Sequence, residues 1–505
     1  MTAEKKSIQP VQADKKPQNK EKKQDSRTAR MGTAPISTLL LEFAIPSIAG
    51  MLINSCYNVI SSIFLGQAMG ATGLAVTTAA FPIMVVFMAL AMLIGNGGNA
   101  LAALRLGQGN KAGAEKTLGN TVSLGIVISL IIVVFVTIPP CMELLLSVSS
   151  TIGEIHDLTR NYIWILGVGV IFQIIGMGVN NFIRTAGAPN RALLTMVIGA
   201  VASIILNYLF VMVFGWGVEG SALATILGWL ASFASVLWYF ILTPNTPIKL
   251  QKKYLKLERI LVLEILKLGL ASFLLQTAIC VANLIINYQL VKFGNISDFG
   301  AENALAAIGV VGKIAGIAIM PILGISAAAQ PLLGYNYGAG NLKRVRHALG
   351  FALLYGVIIG LVVWGITRLW PYQIVGAFGV ENDLMALALF ALEVQMLLIP
   401  LVGIQIISSN YFQATGQPVK ATFLSLIRQV IIFMPALLII PEVLPLVMDI
   451  DPLYALFASW PVSDFLSIFI AGMFLIHELT RLKKIEQGKL SDKYVGGQYK
   501  KKEAN

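Results

Sequence analysis

Charged residues are scarce in this chain: only 12% of its 505 residues are Asp, Glu, Lys or Arg, whereas 56% are hydrophobic. A soluble globular domain usually carries about 25% charged residues, so a surface that faces only water is excluded. The three cysteines, Cys56, Cys141 and Cys280, show no motif spacing and predict neither a disulfide framework nor a metal site. No phosphate-binding Gly-x4-Gly-Lys-Ser/Thr loop occurs, so direct ATP drive is not expected. No nucleophile or acid–base constellation predicts an enzyme, and no cofactor is expected.

Long uncharged apolar stretches take up most of the chain instead. Crossing the hydrocarbon core of a bilayer takes roughly 20 apolar residues per helix. A membrane β-barrel would show short alternating segments, so the pattern predicts an all-α membrane protein with twelve transmembrane helices. The predicted spans are residues 38–66, 73–101, 119–145, 160–183, 192–214, 217–241, 262–292, 302–331, 348–370, 384–412, 420–441 and 452–478.

Most of the 37 Lys and Arg residues fall in the two tails and in the loops on the tails' side of the membrane. The positive-inside rule therefore predicts a protein of the cell (inner) membrane with both termini on the cytoplasmic side. The basic tails, residues 1–35 and 480–505, are expected to be disordered anchors of the topology that contact water and membrane lipid. Nucleic acid is not an expected partner.

The two halves of the chain repeat each other. Residues 181–189 (NFIRTAGAP) match residues 410–418 (NYFQATGQP) in the order of Asn, aromatic, Gly and Pro. Six helices per repeat give both halves the same orientation, so they should surround an axis near the membrane normal with a cleft between them. The expected units are an N-terminal lobe (36–243), a cytoplasmic linker (244–261) and a C-terminal lobe (262–479).

Three segments carry a family resemblance: GNGGNALAALRLGQGN at 95–110, GYNYGAGN at 334–341 and FQATGQP at 412–418. In their order across two lobes they resemble the multidrug and toxin extrusion (MATE) family, and its bacterial multidrug-exporter branch most closely. The resemblance covers nearly the whole chain between the tails. It implies a V-shaped pair of pseudo-symmetric six-helix bundles that exports organic cations against an inward movement of protons or sodium.

The chain departs from the family pattern where ion coupling is expected. In helix 1 the family has YNxxD, whereas this chain has YNVIS, so Ser61 stands in place of the Asp. In helix 5 the family often has Asn-x-x-x-Asp, whereas this chain has Ser203 and Asn207 at these two positions. Carboxylates are therefore missing from the centre of the N-terminal lobe. Neutral oxygens can still ligate sodium, which makes a weak candidate site of the following residues: Ser61, Ser203, Asn207 and Thr225.

Polar residues form a stripe on one face of helix 1 and of helix 7. In a membrane such stripes should face the helix bundle, either as the lining of a translocation path or as hydrogen bonds that hold helices together. The stripe residues are Asn54, Asn58 and Ser61 in helix 1, and Gln276, Asn283 and Asn287 in helix 7.

Charged residues inside the predicted spans are concentrated in the C-terminal lobe. Lys313 and Asp464 fall near the midplane at similar depth, so we expect them to form a buried pair. Glu393 lies nearer the outer end of helix 10, where its pKa could change as the lobe opens and closes. These three residues are the candidates for ion coupling, with Glu393 preferred as the proton carrier because it lies closer to the outer mouth. A static ion-pair network is the alternative.

Aromatic residues near the predicted path could hold flat cations by cation–π contact, or could simply pack between helices. They are Tyr57, Phe172, Trp229 and Tyr288.

The leading hypothesis is a secondary active efflux transporter for organic cations or amphipathic drugs, which works by alternating access coupled to a proton or sodium gradient. A flippase for lipid-linked substrates and a membrane scaffold without ion coupling are the alternatives. A flippase should carry a cluster of positive charge in its cleft, and in this sequence only Lys313 and Arg428 qualify.

Overall fold

The structure is a computed structural model that describes residues 28–147, 153–244, 246–379 and 382–495, except for the side chains of Asn58, Asn382 and Asp383. The outer parts of both predicted tails, 1–27 and 496–505, lie outside the described residues. Throughout the described ranges the chain is helical and contains no strand. The predicted all-α class is confirmed.

Ten helices of the described chain are long and apolar enough to cross a membrane, and a bent pair forms an eleventh span. The first, α1 (Ile36–Gly107), has 72 residues and would be about 108 Å long if it were straight. It is broken at Gly70, whose φ of 60° and ψ of −139° are accessible to glycine at little cost. The two arms, 36–69 and 71–107, are the first two predicted spans, which completes the expected twelve.

The N-terminal lobe continues with α2 (Lys111–Thr137), α3 (Pro139–Ser147), α4 (Glu154–Thr185), α5 (Pro189–Asn207) and α6 (Gly217–Ile241). A π-helical turn, Tyr208–Val213, prolongs α5. We call the side of the molecule at which α1 begins the tail side, and the opposite side the far side. Large apolar side chains such as Ile131 (61% exposed) and Trp238 (65%) cover the outside of the lobe, as lipid contact requires.

The linker between the lobes is fastened to the tail-side end of α2. The Glu115 carboxylate accepts hydrogen bonds from the Lys249 backbone N–H (3.2 Å) and the Gln251 amide (2.6 Å). The Asn120 side chain accepts one from the backbone N–H of Glu258 at 2.8 Å. A short 3₁₀ turn, Lys252–Tyr254, lies between these contacts. Residues 249–258 of the linker are thus held along the N-terminal lobe.

The C-terminal lobe consists of α7 (Arg259–Gly294), α8 (Gly300–Gly338), α9 (Leu342–Leu369), α10 (Pro371–Gly376), α11 (Asn382–Gln395), α12 (Ile399–Ala414), α13 (Pro418–Leu426), α14 (Met434–Val447), α15 (Pro452–Phe457) and α16 (Ser459–Glu486). A π-helical turn, Ile427–Phe433, joins α13 to α14. The predicted tenth span is the bent pair: α11 and α12 meet at 50° across the break between Gln395 and Ile399.

Candidate functional site

The lobes meet through the tail-side halves of α1, α7 and α8. At two crossings the backbones are so close that only glycine fits. A Cβ atom on Gly269 would lie 1.7 Å from the Leu93 carbonyl oxygen, and one on Gly338 would lie 2.1 Å from that of Leu104. Small residues at such crossings allow membrane helices to pack backbone to backbone. The tail side of the cleft is therefore closed.

The far-side halves of the lobes are separate. A hydrophobic core of the C-terminal lobe, which runs from Ala282 to Trp460, contains C-terminal-lobe residues alone. The larger core joins both lobes, and its members from α7 and α8 are tail-side residues such as Ile265 and Ala329. The molecule is a V whose cleft opens to the far side.

Eight polar side chains, six buried and two half-buried, form a hydrogen-bonded ring at the floor of this cleft. Two bonds cross between the lobes: the Asn96 amide donates to the Ser272 hydroxyl at 3.0 Å, and the Asn99 amide donates to the Gln330 side-chain oxygen at 2.9 Å. Five bonds within the lobes extend these two into one row of side chains. The ends of the row, Arg184 and Thr185, are neighbours in the chain, so the backbone closes the ring. The ring residues are Asn96, Asn99, Asn181, Arg184, Thr185, Ser272, Gln330 and Gln413.

Part of this ring lies in the repeated motif of the sequence. Asn181 and Arg184 belong to its first copy, and Gln413 in the second copy occupies the position of Arg184. As a sequence pattern the motif indicated only duplication, and the ring itself was missed. Asn181 bonds Asn96 in the N-terminal lobe and Gln413 bonds Ser272 in the C-terminal lobe, so both copies contribute polar side chains to the lobe interface.

The polar stripe of α7 continues from this floor into the open cleft. Ser272, Gln276, Asn283 and Asn287 lie within about 60° of one another on the helix surface. Ser272 contacts the N-terminal lobe, Gln276 is half-buried, and Asn283 and Asn287 are exposed. The Asn283 amide donates to the Ile279 carbonyl of its own helix at 2.9 Å and does not join helices. This geometry favours the lining of a path over interhelical bonding.

Lys313 is exposed on α8 and does not form the predicted pair with Asp464. It lies within about 40° of Gly324 and Gly338 on the helix surface, and both glycines touch the N-terminal lobe on the tail side. Its side chain therefore belongs to the cleft face of α8. Among the described residues it has no ion-pair partner.

The partner of Asp464 is Arg428. The Arg428 Nε donates to the Asp464 carboxylate at 2.7 Å, and the carboxylate side chain is only 5% exposed. Arg428 lies in the π-helical turn of 427–433, a distortion that is frequent at functional sites. The expected Lys313–Asp464 pair was wrong because matching depth does not fix which way each helix face turns.

Glu393 is also paired. Its carboxylate binds the Arg368 guanidinium, which donates a second bond to the Glu393 backbone carbonyl at 3.1 Å. The carboxylate side chain is 62% exposed and lies just before the bend between α11 and α12. Its place near the far-side mouth is the expected one, but the guanidinium holds both the side chain and the backbone of Glu393.

The helix 1 stripe lies on the face of α1 that also carries Gly50. On that face Gly50 touches α5, where a Cβ atom on this glycine would lie 2.8 Å from the Met196 sulfur. Asn54 is exposed and the Ser61 hydroxyl is buried without a hydrogen-bond partner. The side chain of Asn58 lies outside the described residues. Their role in the path stays a prediction.

Three of the four sodium-site candidates come together in a buried cluster between α5 and α6. The Asn207 amide donates to the Ser203 carbonyl oxygen at 3.0 Å, and its oxygen accepts from the Ser221 hydroxyl at 2.9 Å. Thr225 donates to the Ser221 carbonyl oxygen at 2.8 Å. The sequence reasoning missed Ser221. These bonds use the amide in holding the two helices together, and the cluster gives sodium binding little support.

The aromatic candidates differ in their surroundings. Phe172 packs on Phe233 with ring centroids 5.4 Å apart, and Trp229 packs against the larger core. Tyr57 is half-buried in α1. Tyr288 is 69% exposed, but it lies about 120° around α7 from Gln276. Packing accounts for Phe172 and Trp229, and substrate contact by any of the four stays a prediction.

The described end of the C-terminal tail is folded across the tail side of both lobes. The Gln108 amide of the N-terminal lobe donates to the Tyr494 carbonyl at 2.9 Å, and the Tyr494 side chain packs on Gly416 of the C-terminal lobe. Lys493 pairs with Glu264 at 3.4 Å, and Arg481 pairs with Asp492. Residues 489–495, which we call the C-terminal strap, are thus ordered, whereas the sequence predicts a free tail from residue 480.

Comparison with known proteins gives the same architecture. The family model MatE matches residues 46–209 and 278–438, one segment in each lobe. The chain is 25% identical over 401 residues to the multidrug export protein MepA of Staphylococcus aureus (strain MSSA476), which covers 79% of this chain and 86% of that protein. The MepA of Staphylococcus saprophyticus is 24% identical over 393 residues, covering 78% and 85%.

Solved structures of similar fold include an outward-facing multidrug resistance MATE transporter of the MOP superfamily, with a TM-score of 0.83 at 23% identity. A MOP superfamily transporter from Pyrococcus furiosus gives 0.83 at 22% identity. Each match covers 91% of this chain and 99% of the other. With the family model matched across both lobes, the chain belongs to the multidrug and toxin extrusion (MatE) family of multi-pass membrane transporters.

Proposed function

We propose that this protein is a secondary active exporter of small organic cations and amphipathic drugs that works by alternating access. The observation that carries the proposal is the V: the lobes meet on the tail side, and a polar cleft between them opens to the far side. The moving bodies are the lobes 36–243 and 262–479, joined by the linker 244–261. The names of the MepA relatives support multidrug export.

We propose further that the tail side is cytoplasmic, as the distribution of Lys and Arg predicts. The far-side cleft then opens to the outside of the cell. A single cysteine at Lys252, with the native cysteines replaced, should react with an impermeant thiol reagent only after the membrane is opened. Labelling in intact cells would contradict this orientation.

Ion coupling is proposed to reside in the C-terminal lobe, whose spans contain Asp464 and Glu393. Asp464 is the stronger candidate, because it is buried against a single guanidinium whose π-helical turn could release it when the lobe changes shape. Whether the coupled ion is a proton or sodium is decided by imposing each gradient separately. Asp464→Asn should abolish gradient-driven export and keep dye binding, while Glu393→Gln tests the second carboxylate.

Export itself is tested in vesicles reconstituted with the purified protein and loaded with a fluorescent amphipathic cation. An imposed proton or sodium gradient should drive dye movement across the membrane, and protein-free vesicles give the background. Dye binding with no gradient-driven movement under either ion would favour a scaffold that has lost coupling.

A further inference from the structure

Lys313 is an exposed cation in the cleft that nothing in the described structure neutralises. A charge at this depth is costly, and membrane proteins usually pair it or place it beside water. Neighbouring residues leave space around it: a Cβ atom on Gly309, Gly312 or Gly316 would meet no atom within 4 Å. The far-side cleft therefore holds a lysine ammonium with room for a ligand beside it.

One amide side chain, that of Asn283, lies at about the same depth on the adjacent helix. At 1.5 Å per residue, Lys313 is about 20 Å from the far-side start of α8, and Asn283 is about 17 Å from the far-side end of α7. Both residues lie on the cleft faces of their helices. An ammonium and an amide at this depth form a donor-rich wall that suits an anionic oxygen.

The floor of the cleft adds a second cation. Arg184 of the ring is only 3% exposed, and its described partners are the Asn181 amide oxygen and the Met196 sulfur at 3.7 Å. None of the eight ring residues is a carboxylate. The acidic residue on the cleft face of α8 is Glu302, which is exposed. By the same helical rise it lies about 17 Å nearer the far side than Lys313. The deep part of the cleft is thus positive.

We propose that Lys313 binds a carboxylate of the transported molecule, so that the cleft selects amphipathic zwitterions and anions over simple cations of the same shape. This inference rests on the proposed export function and narrows its substrates: amphipathic drugs that carry a carboxylate are preferred, and the simple organic cations of the same proposal bind more weakly. Lys313 offers a point charge with three donors, which a carboxylate can satisfy without a fixed bidentate geometry.

The test uses two dyes that differ by one group. Rhodamine 110 carries a free carboxylate and is a zwitterion at neutral pH, and rhodamine 123 is its methyl ester and a cation. Dissociation constants are measured by fluorescence polarisation with the full-length protein in detergent at pH 7.5. Lys313→Met should raise the constant for rhodamine 110 about tenfold, equivalent to about 1.4 kcal/mol, and leave that for rhodamine 123 unchanged or lower.

Two further variants make the result specific. Lys313→Arg should retain most of the preference for the acid because it keeps the charge. Lys267→Met is the matched control: Lys267 is exposed on α7, about 180° around the helix from Gln276, and its loss should change neither dye's constant. Thermal unfolding of each variant checks that the fold is kept.

An equal change for both dyes in Lys313→Met, or no change for either, would overturn the assignment of Lys313 while leaving the export function standing. A similar loss of acid binding in Lys267→Met would overturn it too, because general charge would then explain the effect. Failure of the unmodified protein to bind either dye would contradict the export function and this inference together.

Discussion

The buried ion pair between Asp464 and Arg428 determines what substitution of either residue costs in stability of the C-terminal lobe. Its carboxylate is 5% exposed and its guanidinium 25% exposed, so both charges are largely removed from water. Removing one member of such a pair leaves an uncompensated charge, which typically costs about 3–5 kcal/mol, whereas replacing both by apolar residues is often neutral.

Asp464→Asn should therefore lower the thermal unfolding temperature, and Arg428→Met with Asp464→Leu should recover most of the loss. The measurement is fluorescence-monitored unfolding in detergent. The matched comparison is Lys313→Met with Asp464→Leu, which should recover nothing because Lys313 faces the cleft. A double change of Arg428 and Asp464 as damaging as the two single changes added together would contradict the pairing.

The pairing of charged side chains with one another could not be predicted from the sequence. Counting residues along a helix predicts the depth of Lys313, Asp464 and Glu393 but not which way their side chains point. Choosing a partner needs the rotation of each helix about its axis, and packing and the π-helical turn at 427–433 determine that rotation. The face of α7 was predictable because Gln276, Asn283 and Asn287 share one helix and one period.

At the scale of helices, the interlobe ring decides how firmly α1 holds α7 and α8. Six of its eight members, Asn99 and Gln330 among them, are buried, and leaving one buried polar group without a partner costs about 1–3 kcal/mol. This penalty applies only to the state in which the lobes touch on the tail side, because the two hydrogen bonds between the lobes are absent once the lobes separate. The ring should therefore bias the equilibrium between the two access states.

Gln330→Ala removes the acceptor of Asn99 and should shift the population toward a narrowed far side. Spin labels at Leu144 and Leu446, exposed ends of the two lobes, report this as a growing short-distance component in pulsed electron resonance. The control is Gln405→Ala, a buried glutamine that donates to Leu424 within its own lobe at 2.6 Å. An equal shift in the control would show that the ring has no special role.

Helix number was predictable from hydropathy, since twelve apolar stretches of sufficient length are a property of composition. The bends were not. Hydropathy predicts a single span over 384–412, but the helix is broken between Gln395 and Ile399. Hydropathy also gives no sign of the π-helical turns that follow Asn207 and Leu426. Those distortions depend on which carbonyls neighbouring helices satisfy, and a one-dimensional average does not contain that information.

At the scale of the whole molecule, the C-terminal strap fastens both lobes together on the tail side. Tyr494 contacts Gln108 and Gly416, and Glu264 receives both Lys493 and Arg105, the latter at 3.5 Å. These contacts must break before the cleft can open toward the tails. The strap should therefore slow or disfavour tail-side opening.

Truncation after Gly488 should raise the reactivity of a cysteine placed at Gln108 toward an aqueous thiol reagent. Truncation after Val495 keeps the strap and serves as the control, with little change expected. Reactivity rates are compared in detergent at equal protein concentration. If both truncations raise the rate alike, the segment beyond 495 and not the strap protects this surface.

Alternating access is the central claim, and it requires the tail-side contact between the lobes to open during each transport cycle. Asn96 and Ser272 are joined across that contact by the 3.0 Å hydrogen bond. Replacing both by cysteine, in a chain whose three native cysteines have been replaced, allows a short bifunctional thiol reagent with a cleavable disulfide to lock the lobes. The two single-cysteine variants show the effect of the reagent without a lock.

The decisive measurement is gradient-driven dye export by the locked protein before and after reduction. We predict that the locked protein binds dye from the far side but exports none, and that reduction restores export to the rate of the single-cysteine variants. Export at the unlocked rate with the cross-link complete would contradict alternating access through this cleft.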